Sequence, residues 1–74
     1  MAIVRTLKRI TLEHGSVHSE VNCTYSIVQD GEGKSLQVDT YGSAHRKMPD
    51  KKSQSIRFSP EAIAQLRDIL SEEF

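Results

Sequence analysis

Nucleophilic, metal-binding and phosphate-cradling chemistry each need particular residues at particular spacings, and this 74-residue chain offers few of them. Its one cysteine, Cys23, alternates with Val21 and Tyr25 in "VNCTY". That parity predicts a thiol on an apolar face, acting as a small hydrophobe rather than a nucleophile. His14, His18 and His45 fall in different predicted elements, so a metal site would need a convergence that the sequence does not show. Gly31 and Gly33 precede a strand pattern, whereas a phosphate cradle needs a helix beginning at once after its glycines. The expectation is a chain that is not an enzyme, with no catalytic residue, metal or cofactor.

Positive charge is the more informative signal. The net charge is zero, yet the stretch "DTYGSAHRKMPDKKSQSIRF" holds five of the ten Lys and Arg residues. Arg46, Lys47, Lys51, Lys52 and Arg57 stand there against Asp50, and Arg5, Lys8 and Arg9 make the first twelve residues basic. Glu13, Glu20, Asp30 and Glu32 make the region between them acidic, as do Glu61, Asp68, Glu72 and Glu73 at the end of the chain. If the two basic segments meet, they form a region that attracts polyanions whatever the net charge. Beside them Tyr41 offers a stacking face, and Ser53 and Ser55 offer donors to phosphate oxygens.

The elements that must position these side chains follow from periodicity. "VHSEVNCTYSIV" alternates over residues 17 to 28, a strand with one buried and one wet face. "QDGEGK" has the glycines of a hairpin loop, which pairs that strand antiparallel with "SLQVDTY". "IVRTLKRITLE" is read as a first strand, joined through "EHGS" in a further hairpin, and "QSIRF" as a fourth. "SPEAIAQLRDILSEEF" is the clearest element. Ser59 can cap, Pro60 suits the first helical position, Glu61 complements the helix dipole, and Ile63, Leu66, Ile69 and Leu70 form an apolar stripe.

The predicted fold is α+β, a single domain over residues 1–74 with four antiparallel strands and one C-terminal helix in the order ββββα. The helix, from Pro60 to about Leu70, is expected to bury Ile63, Leu66 and Leu70 on the apolar face. Parity leaves the other face to His18, Glu20, Asn22, Thr24 and Ser26 of one strand, Gln37, Asp39 and Tyr41 of the next, and Ser53, Ser55 and Arg57 of the last. So short a chain has a small core that gains from a partner. No apolar run approaches the ~20 residues of a membrane span. The basic start and the lone cysteine point to the cytoplasm.

The runs "LQVDTYGS" and "MPDKKSQSIRFSPEAIAQLRDIL" resemble the single-stranded-DNA-binding core of the positive-cofactor-four type of transcriptional coactivator and its small bacterial or phage relatives. The order that carries the likeness is Asp39 and Tyr41, then Pro49, Lys51 and Lys52, then Ile56, Phe58, Ser59, Glu61 and Leu66. It covers about the last half of the chain. "SQS" stands where the family has a glycine after the paired basic residues. The resemblance implies a homodimer with its helices packed together and its sheets facing nucleic acid. Residues and resemblance together give a noncatalytic module that binds nucleic acid, preferring single strands, through Tyr41, Arg46, Lys47, Lys51, Lys52, Ser53, Ser55 and Arg57. The alternative is an adaptor or inhibitor of phage or mobile-element type that docks on another protein.

Overall fold

Turn and cap chemistry set the two best-defined features of the fold. The computed structural model describes residues 1–42 and 52–74. The hairpin glycines join β2 (Cys23–Asp30) to β3 (Gly33–Tyr41) in an antiparallel ladder from Asp30 opposite Gly33 to Cys23 opposite Thr40. Gly33 has φ +125, a conformation open to glycine, and a Cβ there would meet Pro60 at 3.4 Å. β4 (Lys52–Phe58) pairs antiparallel with β3, and α1 (Pro60–Glu73) follows at once. Ser59 is fully buried and caps the helix, its Oγ accepting from the N–H of Ala62 at 3.2 Å.

The sheet is mixed rather than antiparallel throughout. β1 (Ala2–Val4) pairs parallel with β4, giving the order β1-β4-β3-β2, so it forms no hairpin with β2. It is also far shorter than the strand predicted over residues 3 to 13. Ile3, Leu7 and Ile10 do not share one strand parity, so a single sheet face cannot hold the segment past Val4. Beyond it the chain runs beside the helix. The Gln65 amide accepts from Leu7 N–H at 2.8 Å and donates to Leu7 C=O at 3.4 Å, and Arg9 meets Glu73 at 2.7 Å.

β2 likewise begins at Cys23 rather than Val17. β3 ends at Tyr41, whose N–H donates to Asn22 C=O, and among the described residues no strand lies opposite residues 17 to 21. Strand alternation and the register place Tyr25 and Ile27 on the face shared by Leu36, Val38, Ile56 and Phe58.

That face is only partly covered, because α1 packs against β3 and β4. Tyr25 is 75% and Ile27 59% exposed, and Cys23 is exposed too, contrary to the buried position its parity predicts. Ala62 is fully buried, Ile63 and Leu66 are half-buried, and Leu70, expected in the core, is 50% exposed. The radius of gyration is 14.5 Å and the accessible surface 6631 Å². A compact chain of this size would have about 11 Å and about 4,600 Å². Tyr25, Ile27, Ile56 and Leu70 are apolar side chains that the helix leaves at least two-fifths exposed.

Candidate nucleic-acid interface

Period-two alternation on β3 sends Gln37, Asp39 and Tyr41 to the face opposite Leu36 and Val38, and the register sets Arg57 across from Gln37 and Ser55 across from Asp39. A register shift at Thr40/Tyr41 brings Lys52, rather than Ser53, opposite Tyr41. The bulge turns the lysine toward the same polar row.

At its centre is Asp39, only 4% exposed. Its carboxylate accepts from the Ser55 hydroxyl, from Gln37 Nε2 at 3.1 and 3.3 Å, and from Lys52 Nζ at 3.3 Å. These contacts hold its pKa below the usual carboxylate value. The Ser55 hydrogen bond is the largest cause, burial opposes it, and Gln37 and Lys52 add to the lowering. Gln37 uses its other end on Arg57, whose Nε and Nη2 donate to Oε1 at 3.1 and 2.6 Å. The Tyr41 hydroxyl shares a hydrogen bond with Thr24 Oγ1 at 3.0 Å. Among the described residues no buried side-chain nitrogen or oxygen lacks a partner.

Of the residues singled out in the sequence, Tyr41, Lys52, Ser55 and Arg57 are thus brought together. Ser53 sits exposed at the bulge, lining a shallow groove with Tyr41, Gly42 and Gln54. Arg46, Lys47 and Lys51 lie outside the described residues. Lys52 is the first residue of β4 and is ion-paired to Asp39, not a free lysine of a connecting loop. Nor do Arg5 and Arg9 join this row. Arg5 is bound to Glu32 at 2.7 Å, which raises its pKa, and Arg9 is bound to Glu73.

Sequence reasoning placed Gln37 on the polar face without giving it a role, because a neutral amide adds nothing to a charge map. Its signal was positional: Gln37 and Asp39 at i, i+2 face Arg57 and Ser55, also at i, i+2. Among the described residues no group of three or more His, Cys, Asp or Glu could hold a metal ion, and no helix is long and apolar enough to cross a membrane. The chain was compared with protein-family models, with curated proteins and with solved structures, and none of the three comparisons gave a match.

Proposed function

We propose that this chain is a noncatalytic nucleic-acid-binding module that prefers single-stranded DNA and works in the cytoplasm as a homodimer. The observation that carries this reading is the polar row on the sheet. Arg57 and Lys52 are fixed beside Tyr41 and the hydroxyls of Thr24 and Ser55. Phosphates take charge-assisted hydrogen bonds from such cations, and unpaired bases can stack on the tyrosine ring. Arg46, Lys47 and Lys51, from the segment that joins β3 to β4, add to the positive charge, and Ser53 adds a donor at the bulge. The resemblance to the positive-cofactor-four type of coactivator supports the same conclusion.

The homodimer is supported by the uncovered Tyr25, Ile27 and Leu70. The same exposed residues support a second reading, an adaptor whose apolar surface docks on another protein.

Titration of labelled single-stranded and double-stranded oligonucleotides at two salt concentrations separates the readings. Phosphate binding weakens log-linearly with salt, and base stacking favours the single strand. Binding to neither oligonucleotide at low salt rules out the module and leaves the adaptor.

A further inference from the structure

We propose that Asp39, the one carboxylate among the described residues of the polar row, is a positioning residue for nucleic-acid contact: acting through Gln37, it holds the Arg57 guanidinium in the orientation that receives a phosphate. This rests on the nucleic-acid reading above.

The polarity of the chain of hydrogen bonds carries the argument. An ionised carboxylate only accepts and a guanidinium only donates. Gln37 lies between them, so its amide has one arrangement that satisfies both neighbours, with Nε2 toward Asp39 and Oε1 toward Arg57. Asp39 is itself fixed by the Ser55 hydroxyl and by burial. The Arg57 bonds both end on a single neutral oxygen, which leaves the Nη1 edge without a partner among the described residues and the full positive charge in place. Lys52 differs, because its charge is already set against Asp39. Among the described residues the row therefore presents one oriented, uncompensated cation, and the carboxylate that a polyanion site would be expected to avoid is what orients it.

Charge alone and this relay predict different things. If only charge mattered, replacing neutral Gln37 would change nothing. The relay predicts that Gln37→Met frees Arg57 and weakens oligothymidylate binding about three- to tenfold, the cost of immobilising one long side chain on binding. The salt slope is unchanged, since no phosphate contact is lost. Asp39→Leu removes the acceptor of Gln37 Nε2 at nearly the same size, so the amide is no longer held and Arg57 is freed as it is in Gln37→Met.

The test is the ¹⁵N heteronuclear NOE of Arg57 Nε in the free protein, paired with fluorescence anisotropy of labelled oligothymidylate over a salt series. Both are measured for the parent, Gln37→Met and Gln37→Ala, and the NOE also for Asp39→Leu, with far-UV circular dichroism to check that each variant is folded. The expected result is an ordered Nε–H in the parent, a mobile one in both Gln37 variants and in Asp39→Leu, and weaker binding at constant slope in the two Gln37 variants. A mobile Arg57 in the parent overturns the relay, as do Gln37 variants that bind as the parent does, and an Arg57 still ordered in Asp39→Leu overturns the part given to Asp39. An ordered Arg57 in a protein that binds no oligonucleotide overturns the nucleic-acid reading, and the proposal falls with it.

Discussion

The ammonium of Lys52 stands 3.3 Å from Oδ2 of Asp39, an ion pair between adjacent strands. Arg57, one strand position beyond Ile56 on the same β4, rests on the neutral amide of Gln37 instead. Two cations on one strand thus differ in how much charge they can offer an anion.

Arg57→Ala should therefore weaken oligonucleotide binding by about tenfold, the scale of one charged hydrogen bond, and lower the salt slope by roughly one contact. Lys52→Ala should lower the slope by clearly less, because its charge is already partly offset. Anisotropy titrations over a salt series measure both, and equal losses would mean the ion pair opens when nucleic acid binds.

Acid should destabilise the fold in a window set by Asp39. Its folded pKa lies below the usual value of ~3.9. Between the two values the unfolded chain binds more protons, so stability is fully present above the unfolded pKa and is lost as pH falls through the folded one. Glu61 adds to the same trend, its pKa lowered by hydrogen bonds to its own backbone N–H and to Ser59 and by the charge of Arg5. Thermal midpoints from pH 5 down to pH 2.5 should fall for the parent and fall less for Asp39→Asn. Parallel curves for the two proteins would remove Asp39 as a cause.

The helix cap is open to a direct measurement. Ser59→Ala removes the acceptor of the Ala62 N–H at a fully buried position, and should cost about 1 kcal/mol in urea unfolding. Ala62→Leu, by overpacking, should cost ~1–3 kcal/mol. Unchanged midpoints in both would mean that the start of α1 is not docked on the sheet.

The helix and the β2–β3 hairpin were legible in the sequence because their signals are local. Ser59, Pro60 and Glu61 specify a start within three residues, and Gly31 and Gly33 specify a turn. β1 was not legible in that way. A three-residue parallel edge strand has too few positions to show a parity, and Leu7 lies against the helix through Gln65 rather than on the sheet. Val17 and Val21 alternate as a strand should, but pairing depends on a partner, and the described part of β3 ends before reaching them. In the site, Arg57, Ser55 and Tyr41 were found from charge and alternation. The role of Gln37 depends on which strand lies beside β3, a long-range fact that no local pattern carries.

Assembly should be visible in solution. Light scattering at micromolar concentration should give twice the 8.3 kDa chain mass. Ile27→Lys and Leu70→Glu place charges where apolar side chains are more than half or about half exposed, so they should shift the mass toward one chain while leaving far-UV circular dichroism unchanged. A parent protein of single-chain mass would exclude the dimer and favour the adaptor reading.

The last prediction concerns the basic segment between β3 and β4. Lys52 should be left intact there, because Lys52→Glu would set a second carboxylate against the buried Asp39 and confuse loss of binding with loss of fold. The informative variant is Arg46→Gln with Lys47→Gln and Lys51→Gln, which removes three positive charges and introduces no negative ones. If these side chains meet phosphates, affinity should fall about equally for any oligonucleotide sequence, and the salt slope should drop by up to roughly three contacts. Tyr41→Ala provides the contrast. It removes no charge, so the slope should hold while the preference for single over double strands narrows, since stacking needs exposed bases. Thermal unfolding of each variant checks that the sheet and helix persist. A folded triple variant with the parent's affinity and slope would show that the segment carries no phosphate contact, and would leave Arg57 to account for whatever binding remains.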